Sequence, residues 1–320
     1  MNTVISPGEV YQRIADNVQA VVRGKPDAVR LAIAALLAEG HLLIEDVPGL
    51  GKTTLARCIA RSVGGTWSRI QFTPDLLPGD ITGVQVYHQN DGEFAFRPGG
   101  VFANVVLADE VNRGTPKTQS ALLEVMAERT VTVDSVRHEV PRPFLVIATQ
   151  NPIEMEGTYR LPEAQLDRFL MRLRIGYPDL KAEVLVIMGE CAGVTPDELP
   201  AVVDLPTLQA AIIQVRKNLV EPAIVEYAAR LAAKTREHEK LRYGASPRGS
   251  IALIRAAQAL AATYGRGFVT VDDVKGVAHA VLEHRLILTP DAELNQLRPA
   301  DIVKEILEKV PVPTASVSGT

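Results

Sequence analysis

Apolar positions in the first two-thirds of the chain alternate between two periods. Residues 27–39 (DAVRLAIAALLAE) place apolar side chains three and four apart, which predicts an amphipathic helix. Residues 41–45 (HLLIE) form a short apolar run that ends in a Gly/Pro loop, and 52–63 return to helical spacing. Residues 105–108 (VVLA) and 144–149 (FLVIAT) are continuous apolar runs, as strands buried on both faces of a parallel sheet require. Thr115 and Pro116 cap and open a helix to about Ala127. The βαβ alternation predicts an α/β fold, a parallel sheet with helices on both sides.

Two segments interrupt the alternation. Residues 84–96 (VQVYHQNDGEFAF) alternate in polarity around an Asn-Asp-Gly turn and read as a β-hairpin. Residues 130–140 (TVTVDSVRHEV) read as a second. After Tyr177-Pro178-Asp179 the period becomes helical, over 179–191, 205–217, 221–238, 247–264, 270–285 and 299–309. The expected division is an α/β domain over 1–178, an all-helical domain over 179–310 and a flexible Pro/Ser/Thr-rich tail over 311–320.

Composition narrows the function classes. At 320 residues and 47% hydrophobic content the chain is globular, and no uncharged apolar run is long enough to span a membrane. The net charge of −4, with Lys and Arg scattered, argues against a nucleic-acid partner. Cys58 and Cys191 fall in apolar helical stretches and are expected to be reduced, buried thiols. These features, with no secretory signal in the first residues, point to a bacterial or archaeal cytoplasm.

Three strand ends carry the candidate chemistry. The first is followed by DVPGLGKTT, comprising Asp46, Val47, Pro48, Gly49, Leu50, Gly51, Lys52, Thr53 and Thr54, and then by a helix. Gly49 and Gly51 let several N–H groups converge, and the helix adds its positive end, an arrangement suited to the phosphates of ATP. Lys52 is placed for the β- and γ-phosphates and Thr53 for Mg²⁺. The loop departs from G-x-x-x-x-G-K-[ST] at Asp46, which stands where the first glycine is usual; Asp tolerates unusual backbone angles better than most residues. The second strand ends in Asp109, suited to Mg²⁺, and Glu110, suited to polarising the attacking water. The third ends in Thr149-Gln150-Asn151-Pro152, where the Asn151 amide can hold the water or a phosphate oxygen. A strand ending in Asp-Glu, or an Asn-Pro turn, is common by itself; the combination is specific.

With these elements in place the chain resembles the AAA+ superfamily, and within it the MoxR family. The resemblance rests on DVPGLGKTT (46–54), QFTPDLLPGDITG (71–83), ADEVNR (108–113), ATQNP (148–152) and LPEAQLDRF (161–169), and covers nearly the whole chain. It implies an ATPase of the P-loop AAA+ type with a helical lid, assembled as a ring, with a hexamer as the family expectation. It implies that Arg168 is a finger reaching the neighbouring subunit's γ-phosphate, with Arg160 and Arg113 as alternatives. It implies that Arg248 is the sensor-2 arginine of the lid. Independently, Ser246 can cap that helix and Pro247 open it, which places Arg248 in the first turn, where a cation opposes the helix dipole unless an anion is near. Val22-Arg23-Gly24 resembles the segment that packs on adenine, and the two hairpins resemble inserts that face a ring pore. MoxR-like proteins resemble chaperones that remodel or mature client proteins, often with a von Willebrand factor A domain partner and sometimes for metal-centre insertion. A DNA-remodelling AAA+ motor and a nucleotide-gated scaffold with little turnover are the alternatives.

Overall fold

The computed structural model describes residues 5–90, 92–151 and 158–313. Helices α1 (Pro7–Gln19) and α2 (Pro26–Leu37) lead into β1 (Leu42–Glu45), α3 (Lys52–Ser62), β2 (Trp67–Gln71) and α4 (Pro78–Thr82). A hairpin of β3 (Val84–His88) and β4 (Glu93–Arg97) precedes β5 (Val105–Asp109) and α5 (Pro116–Glu128). A second hairpin, β6 (Thr130–Val133) and β7 (Val136–Glu139), precedes β8 (Leu145–Gln150), α6 (Glu163–Leu166) and β9 (Met171–Leu173). The remainder is helical: α7 (Leu180–Cys191), α8 (Leu205–Val215), α9 (Pro222–Arg236), α10 (Pro247–Thr263), α11 (Val271–Leu282), α12 (Pro290–Leu294) and α13 (Pro299–Lys309). A small antiparallel pair, β10 (Leu241–Tyr243) with β11 (Ile287–Leu288), is inserted among them.

The five-stranded sheet has the order β2-β5-β8-β1-β9, and every neighbouring pair is parallel. The three inner strands are the continuous apolar runs of the sequence, buried along nearly their whole length. The edge strands are different. Along β2 only Ile70 is buried, and β9 has three residues. Neither carries the continuous apolar signature, so sequence periodicity passes over both.

One apolar layer covers each face of the sheet. Phe72, Phe144, Phe169 and the inner side of α5 fill one. On the other, α1, α2 and α3 pack on Leu42, Ile44 and Leu107, and that cluster runs without a break into α8–α11 and α13. The lid is therefore seated on the same core as α1 and α2. Both cysteine thiols are free. Cys58 is buried, and burial pushes its thiol up to about 12. Cys191, expected to be buried, is exposed, because α7 buries only Ala182. Among the described residues no helix is long and apolar enough to cross a membrane.

His41 joins the sheet to α5. Its Nδ1 accepts from the Val146 N–H at 3.0 Å, so Nε2 carries the proton and donates to the Met126 carbonyl at 3.1 Å. Burial lowers its pKa to about 4. Because the folded value lies below that of the unfolded chain, the unfolded state gains protons first as pH falls from about 6.5 toward 4, and stability is lost across that window. Between pH 7 and pH 5 the loss attributable to His41 is about 2 kcal/mol. Urea midpoints of the wild type and His41→Gln check this: the variant loses less over that range, and parallel profiles would contradict it.

Candidate nucleotide site

The predicted strand ends meet in one cleft of about 400 Å³ at the C-terminal edge of the sheet. Its floor is the loop between β1 and α3. Gly49 (φ +84°) and Gly51 (φ +78°) take the left-handed conformation that such a loop requires. The first-turn N–H groups of α3 have no acceptor within the helix and open on the cleft. Lys52 Nζ donates to the Asp46 and Val47 carbonyls, at 2.6 and 3.1 Å, and its pKa is lowered by burial. Asp46, Asp109 and Glu110 oppose that shift and favour its charged form.

Asp46 does not occupy a positive-φ position. Its carboxylate instead accepts the main-chain N–H groups of Ile175 and Gly176, just after β9. Tolerance of unusual backbone angles is therefore not why Asp stands here. The side chain ties the start of the phosphate loop to the segment that leads into the lid. Lys25 adds a second tie, its Nζ donating to the Tyr177 carbonyl at 2.7 Å.

The acids are held by one network. Thr149 Oγ1 donates to Asp109 Oδ1 at 2.6 Å and accepts the Glu110 N–H at 2.8 Å. Arg69 pairs with Asp109 Oδ2 at 2.6 Å and also donates to Gln71 Oε1 at 2.8 Å. Gln71 Nε2 and Arg113 Nη1 both donate to Glu110 Oε2, each at 3.0 Å. Glu110 takes a left-handed backbone (φ +54°), unusual for a side-chain-bearing residue. Asn151 is buried and lines the cleft beside Thr149; Pro152 lies outside the described residues. Arg69, Gln71 and Thr149 had no assigned role in the sequence reading. Two of them lie on β2, whose edge position masks it. The donor set of Thr53, Asp109 and Lys52 beside an open helix N-terminus suits Mg²⁺ and a polyphosphate.

Arg168 and Arg248 are elsewhere. Both line a basin of about 680 Å³ that shares no residue with the nucleotide cleft. Arg168 Nη1 donates to the Leu123 carbonyl at 2.5 Å. Asp167 brings the two arginines together. It accepts from Ser246 Oγ at 2.9 Å and from Arg285 Nε at 2.7 Å, and Ser246 in turn caps α10 through the Arg248 N–H at 3.1 Å. Arg129 and Arg255 also line the basin, with Glu39 binding Arg129 and Arg216.

The basin sits at the N-terminal edge of the sheet. Gly40 and His41 line it, and the Leu170 N–H donates to the His41 carbonyl at 2.8 Å, just ahead of the β1–β9 pairing. From Gly40 to Asp46 the extended chain covers roughly 20 Å at about 3.3 Å per residue. The basin and the phosphate loop therefore lie at opposite ends of β1. Arg113, by contrast, pairs with its own Glu110, and Arg160 is exposed outside both cavities.

Comparison with known proteins agrees with this architecture. Residues 41–171 match the family described as ATPases associated with various cellular activities (AAA), and residues 233–306 match the AAA lid domain. The chain is 47% identical to the uncharacterised YeaC of Bacillus subtilis (strain 168), over 94% of each chain. It is 43% identical to Chaperone MoxR1 of Mycobacterium tuberculosis, over 94% of this chain and 82% of that one. A crystal structure from Cytophaga hutchinsonii, provisionally described as an ATPase, superposes with a TM-score of 0.90 at 37% identity, over 96% of each chain.

Proposed function

The chain belongs to the MoxR family of AAA+ ATPases, and from that premise we propose that it hydrolyses ATP at contacts between copies in a closed ring and uses the cycle to remodel a protein client. The observation that carries this reading is the separation of cleft and basin. Lys52, Asp109 and Glu110 lie at one edge of the sheet and Arg168 and Arg248 at the other, so the arginines serve a nucleotide held by another copy. Two different patches that must meet make a head-to-tail contact, which gives a ring where the rotation between copies closes and a filament where it does not; the family reading favours the ring, and a hexamer is the proposed size.

In the proposed cycle the loop N–H groups and Lys52 bind the phosphates, Lys52 exchanging the Asp46 and Val47 carbonyls for phosphate oxygens. Thr53 and Asp109 would hold Mg²⁺, which would offset phosphate charge there. Glu110 orients and deprotonates the attacking water, and Asn151 holds that water or a γ-phosphate oxygen. Arg168 and Arg248 of the neighbour stabilise the charge of the transferring group. Loss of the γ-phosphate removes the anion that those arginines face, so the contact between copies changes with nucleotide state. Asp46 carries the change from the loop to the lid.

The two hairpins touch, Phe96 stacking on His138 at 3.8 Å, and they expose Tyr87, Phe94 and Val136. These apolar side chains are the proposed client contacts. A von Willebrand factor A domain partner, metal-centre assembly and a cytoplasmic location are extensions of the family reading. Phosphate release per protomer tests the split site: it rises steeply with protein concentration and vanishes on dilution. A rate per protomer that stays constant from micromolar down to nanomolar protein would show that one chain suffices.

A further inference from the structure

Helix α7 carries exposed apolar side chains around most of its circumference, interrupted by Lys181, Glu183 and Glu190. Val184, Leu185, Ile187 and Met188 are 46, 50, 57 and 62% exposed, and Leu180 is more exposed still. Only Ala182 is buried, against Gly24. A helix with so broad an apolar surface is ordinarily covered, and a contiguous exposed patch of this kind marks a binding surface.

The position of α7 indicates what covers it. The helix begins at the segment whose N–H groups bind Asp46, and its first turn abuts Gly24. It therefore starts beside the phosphate loop, and in the split-site reading it belongs to the side that a neighbour covers. Asp179, Glu183 and Glu190 against Lys181 make residues 179–191 acidic. The face expected opposite carries the arginine basin, and one turn beyond Arg248 it exposes Ile251, 59% accessible. An acidic, apolar helix and a cationic surface with an exposed isoleucine are complementary in both charge and polarity.

We propose that α7 is a contact between copies, packing through Leu180, Val184, Ile187 and Cys191 against the arginine-bearing face of the next protomer. These four residues share one side of the helix. The proposal rests on the split-site reading and specifies which surface of the chain closes it.

Cys191 supplies the probe, because the only other thiol, Cys58, is buried. Full-length protein is labelled with a maleimide, with and without Mg²⁺ and ATPγS, and sedimentation velocity is run in parallel. Labelling of Cys191 is expected to slow by an order of magnitude or more in the assembled fraction. Ile187→Lys is expected to raise the concentration needed for assembly by about a hundredfold, since an ammonium would be buried against the neighbour's arginines. It should still bind a fluorescent ATP analogue like the wild type, because Ile187 does not line the cleft. Wild-type rings in which Cys191 reacts at the dilute-monomer rate, or Ile187→Lys rings that form at wild-type concentration, would overturn the α7 contact and leave the split site standing. Protection that arises only when a client protein or lipid vesicles are added would also overturn it. A wild type that stays monomeric yet releases phosphate would overturn the split site itself.

Discussion

Glu110→Gln binds ATP with near-wild-type affinity and releases phosphate slower by about two to four orders of magnitude, the range associated with loss of a positioned base. The substitution keeps a side chain of the same shape for Gln71 and Arg113 to meet, but it removes the group that takes a proton from water. The loop, Lys52, Thr53 and Asp109 are untouched, so binding survives. The protein accumulates as an ATP-bound assembly, and that trap pulled down with ATP is the direct route to the client. Measured by single-turnover phosphate release and equilibrium binding of a fluorescent nucleotide, wild-type turnover in this variant would remove Glu110 from the role of base.

Arg168→Ala and Arg248→Ala each lower turnover by about three orders of magnitude or more, as arginine fingers do, with ATP affinity changed little. The shared basin adds a sharper expectation. Because both arginines face the same way from the same chain, a mixture of the two single variants contains no chain that offers both. Their mixture therefore stays inactive. If Arg248 instead served its own chain's nucleotide, that mixture would regain activity at every site where the Arg168→Ala chain holds ATP and the Arg248→Ala chain supplies the finger. Recovery in a co-assembled mixture would move Arg248 to its own chain's nucleotide.

How much of this is legible in the sequence follows from the reach of each signal. The inner strands, both hairpins and the main lid helices declared themselves, because each is a local run with one period. The cap of α10 was readable for the same reason, Ser246 and Pro247 standing next to Arg248. Strand β2 was missed because an edge strand need not be continuously apolar, and with it went Arg69 and Gln71, which hold Asp109 and Glu110. Asp46 stands out in the sequence as a departure, but local backbone preference does not explain it. Its partners are the N–H groups of Ile175 and Gly176, about 130 residues away in the chain, beyond any local pattern. The basin was invisible as a unit, since Glu39, Arg129, Arg168, Arg216, Arg248 and Arg255 come from both halves of the chain. Cys191 failed for an instructive reason: apolar spacing predicts a buried helix only if something covers it, and this chain alone does not.

The separation of cleft and basin is the central claim, and phosphate release from a mixture of two inactive proteins tests it most directly. Lys52→Ala keeps both arginines and lacks the phosphate-binding lysine; Arg168→Ala/Arg248→Ala keeps the loop and lacks both arginines. Each alone is inactive. Mixed under conditions where co-assembly is verified by sedimentation, they regain turnover, because the loop of one meets the arginines of the other. A verified mixture that stays as inactive as its parts would contradict an active site divided between neighbouring copies.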